Sequence, residues 1–286
     1  MILVTGASGH LGKGIIEQLL TKIPANNLAA MVRDESKAED LKAKGVNIRI
    51  ATYDNPTSLE KAFEGISHVV LVSSSVLEGR LQQHINVIDA AKKVGVQHIS
   101  YTSIPIGNWD STPLKPLSDS HIGTEKYLKN SGLTYTIFQN TLYAETILLF
   151  AGANALTTGI YFPAGEGLVA FATRNDMAEG IANAVAQGGN ENKTYAITGA
   201  QAHSFAEIAA ILSELSGNAV TYTSPEPNDF EQLLKQFNVP AEGILISLLF
   251  AATIKRNDLE TVSSDLENFL GRKPTELKEF LKVAYL

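Results

Sequence analysis

A chain of 286 residues, 44% hydrophobic and 19% charged, has enough apolar material for one or two packed domains, which excludes the disordered, fibrous and membrane-embedded classes. Its formal charge of -7 and its scattered lysines and arginines speak against nucleic acid as the main partner, because phosphate binding needs a concentrated basic face. There is no cysteine, so disulfides, thiolate metal sites and cysteine nucleophiles are excluded together.

Met1 to Val4 enter an apolar segment at once, without a charged leader, which points to the cytoplasm. Short apolar runs predict strands at 2–5, 28–32, 46–51, 68–73, 97–102 and 134–138. Between them, apolar residues at helical spacing such as Ile15, Ile16, Leu19 and Leu20 predict a first helix, followed by helices at 37–44, 58–63, 82–94 and 120–131. Such alternation implies right-handed crossovers and a parallel sheet covered on both faces, the doubly wound α/β architecture. Beyond Asn140 the pattern loosens. A helix is expected over 141–156, two short glycine-bounded strands within 159–173, an alanine-rich helix at 176–187 and a returning strand at 193–198. Ser204 and Glu207 have capping-box spacing ahead of a helix to 215, and 221–286 is mostly helical. The apolar stretch 244–254 is too short for a bilayer, which takes roughly 20 residues, so a buried helix and no membrane are expected. The segment 108–118, with Pro113 and Pro116, reads as a mobile flap.

The sharpest signal is Gly6-Ala7-Ser8-Gly9-His10-Leu11-Gly12, directly after the first strand and opening the first helix. Glycine permits a tight turn and close approach, while the free amides and dipole of a helix N-terminus favour an anion such as a pyrophosphate. The spacing is a variant of the dinucleotide fingerprint, supported by its strand–turn–helix setting. A nucleophile elbow fails because His10 stands where its second glycine belongs, and a P-loop fails because Gly14 follows Gly12-Lys13. At the end of the second strand an acid would bind the ribose of NAD and an arginine the phosphate of NADP. Here stand Arg33 and Asp34, with Lys37 close by, which favours NADPH and keeps NADH possible.

These residues, with Thr52-Tyr53-Asp54, Ser73-Ser74-Ser75, Tyr101-Thr102-Ser103, His121 to Lys126, Asn140 to Tyr143, Ala172 to Asp176 and Ser264-Asp265-Leu266, form an ordered series over the whole chain. The series resembles the atypical short-chain dehydrogenase/reductases, more narrowly their NmrA-like branch and its group of NAD(P)H:quinone oxidoreductase type 2 and triphenylmethane reductase. The resemblance implies a Rossmann domain of 1–140 with about 174–198, and a smaller, mainly helical substrate-side unit of 141–173 and 199–286. It implies that Gly6 to Gly12 hold the pyrophosphate, Arg33 and Lys37 the 2′-phosphate, and Tyr53 and Asp54 the adenine edge. Ser73, Ser74, Ser75, Thr102 and Asn140 would line the ribose and nicotinamide, and Tyr143 and Arg174 belong to the same expected set.

Typical short-chain dehydrogenases carry Tyr-x-x-x-Lys on the helix after the fifth strand, where this chain has His121 and Glu125. A carboxylate four residues on shares the helix face and is expected to keep the imidazole charged, which weakens alcohol–ketone chemistry and epimerisation. Hydride addition to a conjugated acceptor spreads the charge and has less need of a protein acid. His121 is the leading candidate catalytic side chain, with His84 and Asn86, on the helix after the fourth strand, behind it. Trp109 and Tyr143 are candidates for lining a planar pocket. A further departure is Gln139-Asn140, where the family commonly has Arg-Asn. The six histidines lack metal-ligand spacing, so no metal is expected, and no flavin is required. The reading is an NADPH-dependent oxidoreductase passing a hydride to a small planar acceptor such as a quinone, as monomer or homodimer. The alternative is an NADP(H)-sensing regulator with little turnover.

Overall fold

The computed structural model describes every residue from Met1 to Leu286. The chain runs β1 (Ile2–Val4), α1 (His10–Leu20), β2 (Leu28–Val32), α2 (Glu39–Ala43), β3 (Asn47–Ile50), α3 (Pro56–Ala62), β4 (His68–Leu71), α4 (Arg80–Val94), β5 (His98–Ser103), α5 (Lys115–Asn130) and β6 (Thr134–Asn140). It continues through α6 (Ile147–Ala151), α7 (Ala155–Thr158), β7 (Ile160–Tyr161), α8 (Arg174–Gln187), β8 (Lys193–Ile197), α9 (Phe205–Ser216), β9 (Tyr222–Thr223), α10 (Pro227–Gln236), α11 (Ala241–Lys255), α12 (Asp265–Leu270) and α13 (Leu277–Tyr285). Seven strands form one parallel sheet in the order β3-β2-β1-β4-β5-β6-β8.

The near-continuous apolar runs are explained by burial on both faces of that sheet. In β1, Val4 joins Ile15, Ile16 and Leu19 of α1 and Ile181 of α8 on one face, while its neighbour Leu3 joins Phe63, Ile88 and Leu128 on the other. A third core gathers side chains between Ile106 and Leu281, with Phe162 packed against Phe150, Phe205 and Phe230. The capping box before α9 forms as its spacing predicts, with Ser204 and Glu207 each accepting the other's backbone N–H. No helix is long and apolar enough to cross a membrane.

The structure corrects four expectations, three of them beyond Asn140. The run 141–156 is not one helix. Ala144 N–H donates to Ala172 O (2.8 Å) and Ala172 N–H to Leu142 O (3.4 Å), so this backbone is held extended before a short 3-10 turn and α6, which ends at Gly152. Within 159–173 only β7 forms, paired with β9, while Val169 and Ala172 make single bridges to His203 and Tyr143. The stretch 244–254 lies in α11, which buries Ile244, Ala251 and Ile254 but leaves Leu245 56% exposed. In the expected flap 108–118, Lys115 to Ser118 form the first turn of α5. The chain before it is fastened by Gly107 N–H to Asp258 O (2.9 Å) and Arg256 Nη2 to Ser111 Oγ (2.9 Å).

Candidate functional site

The strand order reverses direction between β1 and β4, and ligands of open α/β sheets bind beyond the carboxyl ends at such a point. A cavity of about 520 Å³ opens there. Gly6 takes the left-handed conformation (φ +59°), Ala7 N–H donates to Met31 O (3.2 Å) and Gly9 N–H returns to Gly6 O (2.9 Å), so the chain turns sharply into α1. A Cβ on Gly12 would lie 2.4 Å from Gly6 O, so only glycine lets the helix start this close to the strand. The amides of His10, Leu11 and Gly12 donate to no protein acceptor, and the N-cap, Gly9, has no side chain to meet them. Free N–H groups and the positive end of α1 thus border the cavity.

Arg33 and Lys37, beyond β2, line the same space. Asp34 does not. Its Oδ1 accepts from Ser36 Oγ (2.8 Å) and Ser36 N–H (3.0 Å) as the cap of the 3-10 turn Glu35–Ala38, and these bonds hold its carboxyl below the usual range. Tyr53 and Asp54 follow β3. The Tyr53 hydroxyl donates to Val72 O (2.8 Å) and rests against Thr5 Oγ1, and burial raises its pKa. From α4, Gln83 reaches the cavity wall and binds Asp54, while Asn86 Nδ2 donates to Tyr53 O (2.9 Å).

Ser73, Ser74 and Ser75 form the wall after β4. Ser74 N–H donates to His84 Nε2 (3.0 Å), so His84 Nδ1 carries the proton and donates to Thr124 Oγ1 (2.9 Å), whose hydroxyl donates to Ser120 O (2.7 Å). The imidazole is therefore neutral, and burial, with His121 and Arg80 nearby, pushes its pKa down to about 3. Tyr143 and Arg174 close the far side, the guanidinium carbon 4.8 Å from the centre of the phenol ring. The Arg174 amide is held by Glu145 (3.1 Å).

Fifteen of the eighteen residues expected to bind cofactor line the cavity: Gly6, Ser8, Gly9, His10, Leu11, Gly12, Arg33, Lys37, Tyr53, Asp54, Ser73, Ser74, Ser75, Tyr143 and Arg174. Three do not. Ala7 is packed into the core, and Thr102 sits one layer behind, where Oγ1 accepts from Ser73 N–H (2.9 Å). Asn140 is 5% exposed, with neither amide atom hydrogen-bonded in normal geometry. Trp109 packs against the third core. Gln83 was not anticipated, because a glutamine near the start of a polar helix carries no signal of its own.

His121 also lies outside the cavity wall, and its expected partner is wrong. Glu125 is taken by Ser103 Oγ (2.7 Å), Gln139 Nε2 (2.9 Å) and Lys129 Nζ (3.2 Å). Arg80 Nη1 donates to His121 Nε2 (3.3 Å), which leaves Nδ1–H for the Tyr101 hydroxyl (2.8 Å). Burial, aided by the Arg80 charge, pushes the imidazole down to about 3. It is neutral, not the charged group that helix spacing suggested.

A model of the NmrA-like family matches residues 1–281. Quinone oxidoreductase 2 of Escherichia coli strain K12 is 39% identical over 282 residues, which cover 98% of this chain and 96% of that protein. The crystal structure of an Escherichia coli NADPH-dependent quinone oxidoreductase complexed with NADPH superposes with a TM-score of 0.94 at 36% identity, over 100% of both chains. Triphenylmethane reductase of Citrobacter sp., complexed with NADP(H), gives 0.92 at 34% identity over 99% of each chain.

Proposed function

The chain belongs to the NmrA-like family, and from that premise we propose that it passes a hydride directly from NADPH, without flavin, to a quinone-like or other conjugated acceptor. At the coarser level it is an NAD(P)H-dependent reductase on a Rossmann sheet. The observation that carries the reading is the row of unpaired amides at His10, Leu11 and Gly12, bordering a cavity that also takes in Arg33 and Lys37.

The cavity fits a dinucleotide in volume and in the order of its walls. The glycine turn would hold the pyrophosphate, Tyr53 and Asp54 the adenine edge, and Ser73 to Ser75, Tyr143 and Arg174 the nicotinamide end. Arg33 and Lys37 line the cavity and suit a 2′-phosphate, whereas Asp34 stays outside its wall, which favours NADPH over NADH. The unit 1–140 with 174–198 would carry the cofactor and the remainder cover the acceptor. When bound, NADPH supplies the hydride. The protein's share is alignment: His121 and Glu125 are both committed to protein partners, so neither is free to protonate a substrate oxygen. That favours an acceptor whose charge is delocalised, such as a quinone.

Purified protein, checked to be free of flavin, should oxidise NADPH when a small quinone is added. Absence of turnover over a broad acceptor panel, with NADPH still bound, would instead favour the sensing alternative.

A further inference from the structure

Arg80, the first residue of α4, is only 8% exposed. Its hydrogen bonds all go to neutral acceptors: Nε donates to Val76 O (2.8 Å), and Nη1 to Leu117 O (3.4 Å) and His121 Nε2 (3.3 Å). No carboxylate pairs with it. The other buried charges are matched, Glu125 by Lys129, Asp176 by Arg272 and Asp258 by Arg256. A guanidinium stays protonated even where burial lowers its pKa, so α4 opens with an uncompensated buried cation. A buried charge without a counter-ion is costly, and groups of this kind gather at functional sites.

This cation stands directly behind the cavity wall. Val76, whose carbonyl it holds, lines the cavity together with Ser74 and Ser75, and its other contacts set it against α5. Its charge is felt at the wall, because it helps to keep both His121 and His84 neutral, and His84 accepts the Ser74 amide. Coulomb energy falls only as the inverse of distance and is weakly screened inside protein. A fixed charge therefore acts on a bound molecule without touching it. In the reading above, Ser73 to Ser75 border the nicotinamide end, where an acceptor has to lie to receive a hydride. A positive field there attracts an anionic acceptor, leaves a neutral one unopposed and repels a cationic one.

We infer that Arg80 selects the acceptor by charge, admitting anionic and neutral quinones and disfavouring cationic acceptors. The inference rests on the hydride-transfer reading above and gives that site its acceptor class.

The test uses three naphthoquinones with the same ring: one unsubstituted, one carrying a sulfonate and one a trimethylammonium group, each charge on the same methylene tether. With the full chain and saturating NADPH, wild-type kcat/KM should be about tenfold or more higher for the sulfonate than for the ammonium compound. In Arg80→Gln, which keeps an amide donor and loses the charge, the two should come within about threefold of each other. Arg80→Lys, which keeps the charge, should retain the wild-type ratio. A merely structural role would lower all three acceptors alike and leave the ratio unchanged in Arg80→Gln, which overturns the inference. Equal wild-type values for the two charged quinones overturn it as well and leave the hydride-transfer reading intact. Failure of the wild type to reduce any of the three while NADPH stays bound overturns both. The wild-type ratio needs no variant, so it decides even if Arg80→Gln does not fold.

Discussion

The glycine turn after β1 and the histidine cluster behind the β4 end stand at the same edge of the sheet, and they treat their polar groups in opposite ways. At the turn, three amides and two cationic side chains border open space, and Asp34, next to Arg33 in the chain, stays outside the cavity wall. In the cluster, donors meet acceptors in sequence: Ser74 to His84 to Thr124 to Ser120, and Arg80 to His121 to Tyr101. Interior polar groups normally find partners within the protein, so a matched network supports the scaffold and an unmatched row on a cavity wall awaits a ligand. By this criterion the turn is the proposed binding element, and the histidines brace the wall beside it.

The largest test of that contrast is Gly12→Val. Its Cβ would meet Gly6 O and force the start of α1 away from the turn, dispersing the free amides. NADPH affinity should fall about a hundredfold or more, corresponding to about 3 kcal/mol, read by fluorescence titration. Unaltered binding would mean that the amides are not the anion site. Arg33→Ala comes next. Loss of a charge-assisted contact to phosphate should weaken NADPH about tenfold or more while NADH changes by less than about twofold. Equal losses for the two cofactors would remove the 2′-phosphate assignment.

The same contrast explains what was legible in the sequence. The strands of the parallel sheet could be read because both faces are buried, and the glycine turn because its geometry admits few residues. Arg33 and Lys37 were readable for the same reason the cavity needs them: they are cations placed where a strand ends. The matched network was hidden, since its partners come from distant elements. Spacing paired His121 with Glu125 along α5, whereas Glu125 is taken by Ser103 on β5 and Gln139 on β6. Gln83 was invisible because its meaning lies in Asp54, 29 positions earlier. The run after Asn140 misled through its apolar content, and only its hydrogen bonds to the 172 backbone decide that it begins extended.

A smaller effect separates stability from function in the histidine cluster. His84 and His121 of the cluster, and His68 at the start of β4 beside His98, all have pKa values near 3 through burial, against 6.5 in the unfolded chain. Above pH 6.5 each is neutral in both states and its contribution is complete. Below that the unfolded chain gains protons that the folded one refuses, so stability declines from about pH 6.5 toward 3, on the order of 1 kcal/mol per pH unit for each imidazole. Thermal midpoints across this range should fall steeply, and less steeply in His84→Gln and His121→Gln. His121→Gln should also keep its quinone kcat within about threefold, as expected of a group outside the cavity wall. A large drop in kcat at unchanged stability would return His121 to the reaction and break the contrast.

The smallest effect falls on the residue next to Arg33. Asp34 lies beside the cavity mouth in sequence, yet its carboxylate caps a 3-10 turn through Ser36. Asp34→Ala should therefore lower the thermal midpoint slightly through the lost cap and leave NADPH affinity within about twofold. Asp34→Asn, which retains a capping oxygen, should restore the midpoint. Because Asp34 does not line the cavity, neither substitution should weaken NADH selectively. A selective loss of NADH would mean that the acid turns from Ser36 to the ribose when that cofactor binds, and two neighbouring residues would then divide the two cofactors between them. Selectivity would then come from exchange between two states of one side chain, which the position of Asp34 outside the cavity wall argues against.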